Sequence, residues 1–284
     1  MSQKKLDNQT GNQNQPGLIN RLKEIAQERP ELFLSPLLFV IIVAGWELGV
    51  DILDVPRIVL PAPSDIVKSL SVLVERGNLA RHFGVTLYET LAGFFLGSVT
   101  GLFLGAIVSQ FRIVEKTLYP YIIAFQTLPK VAIAPIIIIW AGYGYNSKII
   151  ITGMIAFFPL LVNTIVGLNA TDPEYIDMLT AFTASNWEIF SKVKVPMALP
   201  FIFAGLDIAG ILSVIGAIVG EFVGAREGLG YLILYRNFQL DMPGVFAILL
   251  ILSLMGIGMH LILAWTHKKI VFWEKPESER VVGA

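Results

Sequence analysis

Six stretches of about twenty predominantly apolar residues limit what this chain can fold into. A helix needs about 20 such residues to cross the roughly 30 Å hydrocarbon core of a bilayer. The stretches cover residues 33–50, 91–109, 118–142, 149–170, 197–220 and 243–265. The second and fourth carry no charge, whereas the third holds Lys130, the fifth Asp207 and the sixth His260. Only 15% of the residues are charged, against about 25% in soluble domains, so an ordinary soluble enzyme is excluded. The expected fold class is an all-α integral membrane protein with six transmembrane helices. A polar tail (1–31) precedes the membrane domain (32–272), and a second tail (273–284) follows it.

Twenty-one basic residues against 22 acidic ones leave a net charge of −1, without the basic excess of nucleic-acid binders. There is no cysteine, which removes disulfides, iron–sulfur clusters and thiol catalysis. His82, His260 and His267 are scattered without metal-ligand spacing, and no metal site is expected. The N-terminus is too long, polar and rich in Gln and Asn for a secretory signal. Residues 18–26 have helical apolar spacing, suited either to the membrane surface or to a short solvated helix.

Orientation follows from basic residues, because cationic loops stay in the cytoplasm. With six spans both termini share one side, and that side carries thirteen Lys and Arg against seven on the other. Both termini are therefore expected in the cytoplasm. On the outer side, 51–86 opens with Pro56, Pro61 and Pro63 and then shows a helical pattern over 64–74. The outer segment 222–242 contains Gly224, Gly228 and Gly230 and reads as a loop with a surface or re-entrant piece.

The connection 171–195, on the cytoplasmic side, is longer than a helix–helix turn needs. Asp172 and Pro173 start a helix with Tyr175, Ile176, Met178, Leu179 and Phe182 on its apolar face. After Thr183, Ala184 and Ser185, a short second helix over 187–194 is expected to stop at Pro196. Such a pair suits a groove in a soluble partner or packing on its own bundle. Gly93, Gly97, Gly101 and Gly105 put a stripe of small residues on one helix face. That stripe serves close helix contact, either within the subunit or between two copies.

Ionisable groups inside a span are costly and face a cavity or a partner. Lys130 lies about 18 Å from the cytoplasmic start at Leu118 and Asp207 about 10 Å from Pro200, at 1.5 Å per residue. They can form an ion pair, or each can find another partner. Glu221, about 31 Å from Pro200 on the same rule, falls near the outer interface, where it caps a pathway mouth or the glycine-rich loop.

From Asp177 to Pro200 the connection resembles the coupling loop of ABC importer permeases, the EAA motif. Asp177 stands for the Glu, Met178 and Leu179 for the two Ala, and Thr183 for the Gly, while Ala184-Ser185-x-Trp187 and Ala198-Leu199-Pro200 keep the second half. Leu60-Pro61-Ala62-Pro63, Leu128-Pro129-Lys130-Val131-Ala132 with Trp140-Ala141-Gly142, and Gly220-Glu221-Phe222-Val223-Gly224 with Gly228-Leu229-Gly230 resemble the nitrate/sulfonate/taurine branch.

The resemblance implies a type I (MetI-like) importer permease of the bacterial inner membrane. Its partners are two cytoplasmic ATPase subunits, a second permease forming a homodimer, and an external solute-binding protein. No G-x-x-x-x-G-K-[ST] loop is present, so ATP and Mg belong to the ATPase, and this chain binds no cofactor and is no enzyme. Tyr175, Asp177, Met178, Ala181, Thr183, Ala184, Ser185, Trp187 and Phe190 are the implied coupling residues. Gln126, Lys130, Asp207 and Glu221 are the candidates for the translocation path. The branch carries nitrate, sulfonates, taurine and bicarbonate as well as small heterocycles. An ion-coupled secondary transporter is the competing function, but Asp207 is the one carboxylate well inside a stretch. An intramembrane hydrolase lacks a serine to pair with His260.

Overall fold

The computed structural model describes residues 31–76 and 78–273. The surface segment expected over 18–26 and nearly all of the C-terminal tail lie outside the described residues. Every regular element within them is helical. The chain forms two compact units that divide after Ser64.

The first unit contains helix α1 (Glu31–Ile52), apolar all round with almost all of its side chains exposed. Such a helix needs lipid or protein around it. In its last turns, Glu47 accepts the backbone N–H and the hydroxyl of Ser64 at 2.9 and 2.7 Å. This carboxylate fastens the intervening proline-rich turn to α1 and satisfies a free donor at the start of α2 (Pro63–Arg76).

The second unit is built on α3 (Leu79–Gln110), α6 (Tyr145–Asn169) and α9 (Val195–Gly224), with α11 (Met242–Ile270) packed on α9. Gly93, Gly97, Gly101 and Gly105 of α3 meet Thr152, Gly153, Phe157 and Thr164 of α6 in rising order on both helices, so the two run parallel. A Cβ at Gly105 would lie 2.7 Å from Thr164 Cβ, and one at Gly101 2.9 Å from the Phe157 carbonyl. The glycine stripe is thus spent inside the subunit. Helix α9 runs antiparallel to α6: Gly205 faces Leu160 and Asn163, Gly216 faces Thr152, and Gly220 faces Lys148. Leu160, Leu168, Ala198 and Ile202 fill the core between them.

Helices α1, α3, α6, α11 and the run from Asn186 through α9 are long and apolar enough to cross a membrane. A sixth crossing exists only as a broken one. The single span expected over 118–142 is two helices, α4 (Arg112–Thr127) and α5 (Lys130–Ala141), bent by 90°. Pro129 is responsible. Its ring disfavours helical backbone at the preceding residue, and Leu128 is extended (φ −61°, ψ 137°). Pro120 and Pro135 are carried inside their helices.

At one end of the bundle lies the connection between α6 and α9, with α7 (Pro173–Ala181) and the single-turn α8 (Asn186–Ile189). At the opposite end α10 (Leu229–Phe238) links α9 to α11.

Candidate functional site

The connection is shaped by local capping. Asp172 Oδ1 accepts the Glu174 N–H at 3.0 Å, and Pro173 occupies the first helical turn of α7. At its other end the Ala184 N–H reaches back to the Leu179 carbonyl, with Thr183 between at φ 60°. This six-to-one closure is the Schellman arrangement, whose left-handed residue is usually glycine. Here a threonine occupies it. Ser185 and Glu188 then cap α8 reciprocally. The Ser185 backbone N–H, then the Lys192 ammonium and the Ser185 hydroxyl, hold the Glu188 carboxyl at about 2, below the usual carboxylate range.

The second helix does not stop at Pro196 as the sequence suggested. A π-helical turn over Phe190–Lys194 joins α8 directly to α9. A proline ring clashes with the carbonyl four residues earlier in a regular helix; the widened turn, where the Val195 N–H bonds to the Phe190 carbonyl, relieves that clash and lets the helix continue.

Tyr175, Met178 and Phe182 share the exposed face of α7, and the ring of exposed Trp187 lies 5.7 Å from that of Phe190, tilted by 34°. Asp177, Ala181, Thr183 and Ser185 are exposed, and Ala184 and Phe190 are half-buried. The element thus ends in an apolar patch ringed by polar groups, the composition of a docking surface.

Lys130 begins α5 at the 90° bend. Its Nζ donates to the Gln126 carbonyl at 2.7 Å and lies 5.0 Å from the Phe158 ring centroid. The carbonyl is one left free where α4 ends. Beside the ammonium is a cavity of about 310 Å³ lined by Phe125, Leu128, Ile133, Met154, Phe157 and Phe158. Asp207, midway along α9, has another partner: its Oδ1 is 2.8 Å from Nδ1 of His260 on α11. The two intramembrane charges are therefore satisfied separately.

Glu221 is buried at the α10 end. One carboxylate oxygen accepts the Thr86 hydroxyl at 2.6 Å and the other accepts the Gly230 N–H. Thr86 in turn accepts the Leu229 N–H at 2.7 Å, His82 Nδ1 accepts the Gly228 N–H at 3.0 Å, and Arg81 pairs with Glu227. Four consecutive residues at the start of α10 are thus each held by a side chain of α3 or α9. Gly228 has φ 116°, and a Cβ there would fall on the Glu221 carboxylate, so glycine is required on both grounds. Against Glu221 lie Glu89 and Lys148, also buried, with Lys148 Nζ 3.1 Å from Glu89 Oε1. Among the described residues no cluster of three His, Cys, Asp or Glu side chains could hold a metal ion.

Residues 97–272 match the family of binding-protein-dependent transport system inner membrane components. The chain belongs to this family. The permease is 39% identical over 221 residues to the formylaminopyrimidine transport permease protein ThiX of Halalkalibacterium halodurans, covering 78% of this chain and 88% of that protein. It is 34% identical over 247 residues to the riboflavin transport system permease protein RibX of Chloroflexus aurantiacus, covering 87% and 92%. A putative aliphatic sulfonates transport permease protein, SsuC of Bacillus subtilis, is 29% identical over 237 residues, covering 84% and 86%. An inward-facing structure of the MetNI methionine ABC transporter shares the fold, with a TM-score of 0.59 at 20% identity over 66% of this chain and 93% of that one. The fold is that of type I importer permeases. This permease is the transmembrane subunit of an ABC importer, a multi-pass inner-membrane protein and not an enzyme, in a family that works with a separate ATPase and a solute-binding protein.

Glu89 and Lys148 escaped the sequence reading. Each stands one or two residues before an apolar stretch and looks like a loop charge until α3 and α6 are seen to begin about three turns and one turn earlier. The available signal was that both stretches begin on the side to which Glu221 was also assigned.

Proposed function

We propose that this permease admits a small planar heterocycle, delivered by the binding protein, through a path bordered by Gln126, Lys130 and Asp207. Glu221 clamps the loop at the mouth of that path. The observation that carries the reading is the cavity at the α4–α5 bend: aromatic and aliphatic walls with a single ammonium, itself occupied by a backbone carbonyl and a ring. Such walls favour a flat apolar ring, with one polar group to orient it. The names of two relatives, which concern a formylaminopyrimidine and riboflavin, support this substrate class. Proteoliposomes holding the assembled importer should take up labelled formylaminopyrimidine or riboflavin in preference to taurine. Preference for taurine or an alkanesulfonate favours the anion reading instead, for which the Lys130 charge and the SsuC relative speak.

In this proposal residues 172–194 dock on the ATPase, which binds ATP and Mg, and two identical permeases form the membrane unit. The basic-residue count supports placing α7 and both termini in the cytoplasm. Ala184→Glu should detach the ATPase in a pull-down while the permease stays inserted. The native mass of the complex tests the permease pair. Because the chain has no cysteine, Ser185→Cys provides a unique label; modification of intact cells by an impermeant reagent refutes the orientation.

A further inference from the structure

The group at the α10 end holds two carboxylates and one ammonium, all nearly out of solvent: Glu89 is 0% exposed, Glu221 1% and Lys148 5%. With every member ionised, the group bears an uncompensated negative charge, and an isolated buried charge is far costlier than a protonated carboxyl. Glu89 stands one turn along α3 from Thr86, whose hydroxyl donates to Glu221, so the two carboxylates lie side by side, and two carboxylates that close do not both ionise. The proton's position follows from the donors. Both oxygens of Glu221 already accept, from the Thr86 hydroxyl and the Gly230 N–H, which makes Glu221 the acceptor. Glu89 receives neither of these donors, and its oxygens are fully enclosed.

We propose that Glu89 is a proton-binding site, donating its proton to the Glu221 carboxylate with Lys148 as counter-ion, and that this neutral cluster locks the start of α10 onto α3, α6 and α9. The groups facing Glu89 are Lys148 from α6 and Glu221 from α9. Tyr145 lies beneath the ammonium, with its ring centroid 5.6 Å from Nζ. The Arg81–Glu227 pair and His82 sit about two turns nearer the start of α3. An open cavity of about 670 Å³, bordered by Lys148, Arg81, Tyr143 and Arg226, gives the cluster a path to water. Removing the proton restores the second buried negative charge, so the lock loosens as the medium turns alkaline.

The assembled importer in lipid nanodiscs provides the test, by infrared difference spectroscopy and thermal unfolding. A protonated-carboxyl carbonyl band should be present at neutral pH and should vanish in Glu89→Gln. Because Gln mimics the protonated acid, that variant should keep its melting temperature and lose the alkaline destabilisation of the wild type. Glu221→Gln, which spoils the acceptor, should melt several degrees lower at neutral pH. Lys148→Met should carry the wild-type band to higher pH, and this result decides the matter even if Glu89→Gln does not fold. Absence of the band in the wild type, its persistence in Glu89→Gln, or equal destabilisation by both Gln variants overturns the proposal.

Discussion

The Ala184 N–H donates to the Leu179 carbonyl at 3.0 Å, closing the end of α7 around Thr183, whose φ of 60° lies in the left-handed region. A β-branched residue is strained there, by about 1–2 kcal/mol for an L-residue. The Thr183 hydroxyl bonds to the Phe182 carbonyl at 2.7 Å and recovers part of the cost. The turn is therefore formed but under tension. Thr183→Gly should tighten it, slowing hydrogen exchange at the Ala184 amide by roughly fivefold for each kcal/mol gained. Thr183→Pro, restricted to φ near −65°, should open it. Equal exchange in all three proteins would show that the left-handed turn does not persist in solution.

The neighbouring cap makes a separate expectation. Ser185→Ala removes the side chain that accepts the Glu188 N–H, and loss of such a cap costs about 1 kcal/mol. Near-ultraviolet signals from Trp187 report the loss. Glu188 titrates below its unfolded value, so its contribution is complete above the usual carboxylate range and disappears only as pH falls through about 2. A change in the α8 signal between pH 5 and 8 contradicts this assignment.

Glycine replacements on α3 separate contact from propensity. Gly97→Ala puts a methyl group against the Gly153 carbonyl, whereas a Cβ at Gly84 meets nothing within 4 Å. Overpacking costs about 1–3 kcal/mol, while alanine at an open helical position gains about 0.5–1 kcal/mol. Gly97→Ala should lower the melting temperature of purified permease and Gly84→Ala should leave it unchanged or raise it. Two equal shifts would mean that the stripe is not in contact with α6.

These sites show how far the sequence was legible. Apolar length gives most of the crossings because the bilayer demands it, and the four-residue glycine period gives a contact face though not its partner. Asp172-Pro173 is a local signal, read without knowledge of the fold; Ser185-x-x-Glu188 is equally local, and the structure brings it out. What fails is what depends on tertiary placement. Three prolines fall in the third stretch, and nothing local says that Pro129 bends the chain by 90° while Pro120 and Pro135 do not. Pro196 looks like a stop until the π turn preceding it removes the steric conflict. Glu89 and Lys148 look like boundary charges because composition marks where apolar sequence ends, not where a helix ends. The helices α3 and α6 run past the apolar stretches and carry those side chains into the protein.

Lys130 and Asp207 invite pairing by depth alone, yet their contacts separate them. Lys130 bonds to Gln126 and lies over Phe158, while Asp207 bonds to His260 across α9 and α11. Groups that share no partner contribute additively to within about 0.3–0.5 kcal/mol, whereas groups in one hydrogen bond couple by about 0.5–3 kcal/mol. Two double-mutant cycles on unfolding in detergent therefore give opposite outcomes. Lys130→Met with Asp207→Asn should be additive, and Asp207→Asn should not rescue Lys130→Met in stability or uptake. Asp207→Asn with His260→Leu should be less damaging than the sum of the single changes, because either one alone strands a polar group in the membrane. Rescue of Lys130→Met by Asp207→Asn would establish that the two charges meet in the working transporter and that the Asp207–His260 bond yields to that pair.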